Sequence, residues 1–114
     1  MAGDRNERRK FPRYSYNIGV EVRQGNAKAG YWGNVDDISL GGCYINTFSP
    51  IVSGTDVILR FKLEELDILV AGRVATCHPG VGMGVQFSSF LSDDGANQLQ
   101  ILIANLERSG PPKD

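Results

Sequence analysis

Two short stretches of the chain carry residue types that can do chemistry. One is Arg8-Arg9-Lys10-Phe11-Pro12-Arg13, the other Asp37-Ile38-Ser39-Leu40-Gly41-Gly42. A guanidinium is a rigid fork that grips a phosphate through two hydrogen bonds and also stacks on flat rings. Arg9 and Arg13 are four residues apart, which in an extended segment puts both on one side at roughly 13 Å. A bend near Pro12 brings them closer. The Asp37 carboxylate accepts hydrogen bonds only, so it can read the N–H edge of a guanine, while the Ser39 hydroxyl can donate to a phosphate oxygen. Gly41 and Gly42 leave room for a bulky ligand and expose backbone N–H groups. A ligand with both phosphate and base, a nucleotide, suits the two stretches. Each also has a plain reading, as a solvated run of charge and as an ordinary Asx-type turn between strands.

The pattern does not suit catalysis. The single histidine, His78, lies in the turn sequence His78-Pro79-Gly80. A Ser39–His78–Asp triad would need three unrelated loops to converge. Asp36 and Asp37 are adjacent, and adjacent strand residues face opposite ways, a poor geometry for paired acid–base work. No Walker lysine spacing and no GxGxxG is present, since Gly80-Val81-Gly82-Met83-Gly84 runs into a strand rather than a helix. Cys43 and Cys77 form no CxxC and sit among apolar residues, which reads as two buried free thiols and no metal site. The expectation is a binding module, with no catalytic residue, no metal and no cofactor.

Composition narrows the partner. The 114 residues are 41% hydrophobic with a net charge of -1, enough for one domain with one core and not a polyanion binder overall. The charge is unevenly placed. Arg5, Arg8, Arg9, Lys10 and Arg13 lie in the first thirteen positions, against only Asp4 and Glu7. Such a basic arm favours an anion: a phosphate ligand, a nucleic acid or an acidic membrane surface. The N-terminus has no apolar signal region, and no run approaches the roughly 18 apolar residues of a membrane span. A cytoplasmic protein without membrane insertion is expected.

The elements that must hold these residues follow from periodicity. Pro12 keeps Phe11 extended, so 1–13 reads as a flexible arm leading into the first strand. Tyr14, Tyr16, Ile18, Val20 and Val22 alternate with polar or small residues through Arg23, a strand with one buried face. Strands are also expected over 28–36, 42–47, 56–63, 68–77, where Gly72 marks a bulge or bend, and 82–87. Glu64 to Asp67 turns the chain. Tyr14, Tyr16, Tyr31 and Trp32 are expected in the core or barrel wall. After Phe87 the period changes: Ser92 as cap, Asp93 and Asp94 in the first turn, then Ala96, Leu99, Leu102, Ile103 and Leu106 predict a helix over about 92–107. Its stripe should pack on the sheet, with a partner helix as the competing use. Residues 108–114 read as a disordered tail. The fold expected is all-β, a single domain over 14–107: a six-stranded antiparallel barrel with a C-terminal α-helix. Closure removes the sheet edges; an open sandwich is the alternative.

In this setting the two stretches resemble the motifs of the PilZ domain, a bacterial receptor for cyclic di-GMP. Arg8-Arg9-Lys10-Phe11-Pro12-Arg13 is similar to the family's RxxxR motif in its RRxxxR form, and Asp37-Ile38-Ser39-Leu40-Gly41-Gly42 to its [D/N]xSxxG motif. The strand Gly82-Met83-Gly84-Val85-Gln86-Phe87 resembles the family's late glycine-rich strand. The resemblance runs from about Glu7 to Leu106. It implies a six-stranded antiparallel barrel with a helix near one opening. It implies that Arg9 and Arg13 clamp phosphates and guanines, with Arg8 as an extra contact, and that Asp37 and Ser39 contact a guanine and the phosphate region. Gly42 corresponds to the motif's glycine. The ligand would be cyclic di-GMP, as a monomer or an intercalated dimer, and ordering of the arm would be the signal passed to an unidentified protein effector. Two readings compete: a nucleic-acid module, disfavoured because the strands show no exposed aromatics interleaved with Lys and Arg, and a protein-interaction module using the arm or the helix stripe.

Overall fold

The computed structural model describes residues 11–113. Arg8 and Arg9 lie outside the described residues. Six strands follow in order: β1 (Tyr14–Gln24), β2 (Tyr31–Ile38), β3 (Gly42–Asn46), β4 (Asp56–Leu63), β5 (Leu66–His78) and β6 (Gly82–Phe90). Every pairing is antiparallel, and the order β1-β2-β3-β6-β5-β4 closes on itself through β1 and β4. The sandwich alternative therefore falls. Helix α1 (Gly95–Ser109) follows β6.

The alternation of β1 supplies one wall of the enclosed core. Val20 and Val22 point inward, where they meet Val35, Ile38, Ile45, Leu59, Val70 and Met83, all fully buried. Each such side chain contributes about 1.5–3 kcal/mol by leaving water. Of the two places expected for Trp32 it takes the barrel wall: it is 68% exposed on the outer face of β2, over Gly19 of β1, rather than in the core. Gly72 sits at a shift in register between β5 and β6, as its place in the strand predicts. A methyl there would stand 2.6 Å from Gln86 O, so the strands approach too closely for any side chain.

The helix start differs from the sequence reading. Ser92 does not cap it. Its hydroxyl accepts the Leu69 N–H at 3.0 Å, extending the attachment of the β6–α1 link to β5. Asp94 takes the N-cap position in a left-handed conformation (φ 64), and no acidic residue occupies the first turn. The helix thus begins at Gly95, three residues later than expected. Gly95, Leu99, Leu102 and Ile103 are buried, whereas Ala96 faces solvent. The stripe packs on β1 and β5, so the barrel itself is the partner.

The antiparallel order separates two ends. The turns at 25–30, 47–55 and 79–81 lie at one end. The start of β1, the turns at 39–41 and 64–65, and the approach to α1 lie at the other. Arg13 of the first motif meets the second motif at this second end.

Candidate functional site

β1 and β2 bring the two motifs together. Ser15 pairs with Asp37 and Tyr14 with Ile38, so Arg13 enters β1 beside the end of β2. Arg13 Nη1 stands 3.9 Å from Asp37 Oδ1. The Asp37 side chain is only 6% exposed, while that of Arg13 is 34% exposed. This is an ion pair of loose geometry, not a closed bidentate bond. Arg13 Nε and Asp37 Oδ1 are both buried and have no hydrogen-bond partner among the described residues. Burying such atoms unpaired is costly, so the pair is left with a donor and an acceptor unsatisfied among the described residues.

β2 carries a bulge just before Asp37: Val35 pairs with Ile45 and Asp37 with Tyr44, leaving Asp36 as the extra residue. A bulge breaks the alternation of side chains. Asp36 and Asp37 accordingly do not oppose each other, as plain alternation requires, but reach the same cation. The Lys113 ammonium lies 2.6 Å from Asp36 Oδ2 and 3.3 Å from Asp37 Oδ2. Lys113 N–H also donates to Arg13 O at 2.6 Å. Part of the segment read as a disordered tail thus lies across the candidate site. The Lys113 ammonium holds the Asp36 carboxyl below its usual range, and Asp36 in turn raises the Lys113 ammonium above its own. Lys113 has no signal in the sequence, because no motif spacing links it to positions 36 and 37.

The turn at 39–42 is built by Ser39. Its Oγ accepts the N–H groups of Gly41 at 3.1 Å and Gly42 at 3.2 Å and donates to Gly42 O at 3.3 Å. Ser39 N–H also donates to Gly42 O at 2.8 Å. The hydroxyl is buried and engaged with the turn, and the two glycine N–H groups are engaged with it. They are not the free donors that the glycines alone suggest. The bare α-carbons are filled as well. A methyl on Gly42 would stand 2.2 Å from Val85 O across the β3–β6 pairing, and one on Gly41 would stand 2.8 Å from Phe11 Cδ2.

Tyr14 braces the site from behind. It is buried, and its hydroxyl donates to Glu107 Oε2 of α1 at 3.1 Å. His78 lies at the far end of β5, where Nδ1 meets the Tyr44 hydroxyl at 2.8 Å. It therefore does not join Ser39. Cys43 is buried and Cys77 partly so, and both are free thiols. Burial pushes the Cys43 thiol well above its usual range. No helix among the described residues is long and apolar enough to cross a membrane.

Comparison with known proteins places this arrangement. No curated protein matches the sequence. Among solved structures, the Bacillus subtilis inhibitor of motility MotI/DgrA superposes with a TM-score of 0.71 at 18% identity, covering 90% of this chain and 53% of that one. The PilZ domain of YcgR from Escherichia coli, solved with c-di-GMP, gives 0.66 at 18% identity and covers 90% of this chain and 93% of that one. The K. pneumonia MrkH–c-di-GMP complex gives 0.68 at 19% identity, covering 88% of this chain and 52% of that one. The chain thus spans nearly all of the YcgR domain and about half of MotI/DgrA and MrkH. At these identities the likeness is one of fold. The family model for the PilZ domain matches residues 7–105, and on that match, over nearly the whole of a barrel whose mouth holds Arg13 and Asp37, the chain belongs to the PilZ domain family.

Proposed function

We propose that this chain binds cyclic di-GMP at the barrel mouth where Arg13 meets Asp37. The observation that carries the reading is that pair: two motifs far apart in sequence contribute a guanidinium and a carboxylate 3.9 Å apart, with a buried donor and a buried acceptor unpaired among the described residues. A guanine offers adjacent N–H groups to a carboxylate, and a cyclic dinucleotide offers phosphate oxygens to a guanidinium. Two proteins of similar fold, YcgR and MrkH, were solved with c-di-GMP.

In this proposal Arg13 and Asp37 touch the ligand, together with Arg8 and Arg9 from the arm. Ser39, Gly41 and Gly42 act through the turn that holds Asp37 in place. The ligand draws the part of the arm that precedes Phe11 onto the barrel, and the newly ordered surface is what a protein effector reads. Calorimetric titration with cyclic di-GMP, with cyclic di-AMP and GTP as controls, tests the reading. Tight binding selective for cyclic di-GMP is expected, and its stoichiometry distinguishes one ligand from an intercalated pair. No heat at tens of micromolar from a folded sample refutes it, and the protein-interaction reading then takes its place. Binding that is strongly salt-dependent and indifferent to base identity would instead favour a nucleic-acid module.

A further inference from the structure

Phe11 lies between the motif arginines and carries no charge, yet its ring lies against Gly41 of the second motif. Its side chain is 41% exposed, and its ring covers the Gly41 backbone. A methyl on Gly41 would stand 2.8 Å from Phe11 Cδ2 and 3.2 Å from Cε2. The turn itself does not demand glycine at this position. Gly41 is not among the residues of positive φ, and its N–H is bonded to Ser39 Oγ as any residue's would be. What requires a bare α-carbon at 41 is the ring above it.

The contact joins the two motifs a second time. Phe11 is two residues before Arg13, and Gly41 is four residues after Asp37. One attachment is the Arg13–Asp37 pair at 3.9 Å, the other the ring on the glycine. Pro12 between them fixes its own φ near about -65° and holds Phe11 extended. Loss of the ring's seat on Gly41 therefore frees the backbone that leads into Arg13, with few torsions between them to take up the change. We infer that Phe11 is a positioning residue: its ring, seated on Gly41, sets where Arg13 stands against Asp37, and so how well formed the site is before ligand arrives. The inference rests on the cyclic di-GMP reading of that site.

The expected cost follows from lost preorganisation, which is paid at binding when a loose group must be ordered. Phe11→Ala should weaken cyclic di-GMP binding about five- to tenfold with the barrel's melting temperature nearly unchanged. Phe11→Tyr keeps the ring and should bind like wild type. Gly41→Ala displaces the ring and should weaken binding to the same degree, and the double variant should be no weaker than either single one. A ligand-free readout accompanies these titrations: in NMR spectra the ring should shift the Gly41 Hα resonances upfield, and Phe11→Ala should abolish that shift and move the Arg13 backbone signals. Missing ring-current shifts in the wild type, an unchanged affinity in Phe11→Ala, or additive losses in the double variant would each overturn the inference. A wild type that shows the shift but gives no heat with cyclic di-GMP overturns the ligand reading instead. The positioning role then stands if the Arg13 signals move in Phe11→Ala and falls if they do not.

Discussion

The Lys113 ammonium rests on Asp37, 3.3 Å from Oδ2, while Arg13 faces the opposite oxygen of the same carboxylate at 3.9 Å. A guanine that engaged Asp37 with both oxygens would have to move the lysine. Lys113 thus competes for the carboxylate. Partly exposed ion pairs of this kind are worth about 0.2–1 kcal/mol, so Lys113→Ala should tighten cyclic di-GMP binding up to about fivefold. Titration of the variant against wild type at one salt concentration checks this. Weaker binding would instead make the ammonium a ligand contact.

The same lysine sets a pH window for its own attachment. Asp36 titrates below its ordinary 3.8 because of Lys113, and Lys113 above its ordinary 10.5 because of Asp36. A carboxyl whose folded pKa is lowered contributes stability above its unfolded pKa and loses it as pH falls through the folded one. An ammonium whose pKa is raised contributes below its unfolded pKa and loses it as pH rises through the folded one. The tether therefore holds fully between the two ordinary values, and acid releases it as Asp36 takes up a proton. Carboxyl chemical shifts followed by NMR should show Asp36 titrating below 3.8 in the wild type and closer to 3.8 in Lys113→Ala.

Arg13→Ala removes a charged hydrogen-bond donor from the site, a loss worth roughly 1.5–3 kcal/mol or about ten- to a hundredfold in affinity. The side chain is partly exposed and pairs only loosely, so thermal unfolding followed by circular dichroism should shift little. Asp37→Asn should spare phosphate affinity more than base preference, narrowing the gap between cyclic di-GMP and cyclic di-AMP. An affinity unchanged in Arg13→Ala would remove the clamp assignment.

The paired glycines should separate fold from site. A methyl on Gly42 meets the backbone carbonyl of Val85 at 2.2 Å, and that carbonyl is held in the β3–β6 ladder. Overpacking of this sort costs about 1–3 kcal/mol, and each kcal/mol lowers the melting temperature of a domain this size by roughly 4–8 °C. Gly42→Ala should therefore melt several degrees lower. Gly41→Ala, which meets only a movable ring, should not. Equal melting temperatures would show that β3 and β6 can part at little cost.

Much of this molecule was legible in its residues. The alternation of Tyr14, Val20 and Val22 gave a strand and its buried face. β4 fell on Asp56–Leu63 as patterned, Gly72 marked its bulge, and the spacing of Leu99, Leu102 and Ile103 gave the helix its buried stripe. These depend on local period and burial, which a sequence carries directly. The family motifs were equally plain, because they are short and contiguous. What only the tertiary structure decided was long-range. The β2 bulge turned Asp36 and Asp37 toward one cation, since register belongs to the pairing with β3 and not to β2 alone. Ser92 bonds β5 instead of capping α1, because the neighbouring strand offered an N–H first. Gly41 and Gly42, open in the sequence, are filled by Phe11 and by Val85 O. Lys113 reaches Asp36, 77 residues upstream, through barrel closure and the packing of α1. Local chemistry chose the residues; the closure of the sheet, which brings distant segments to one mouth, chose their partners.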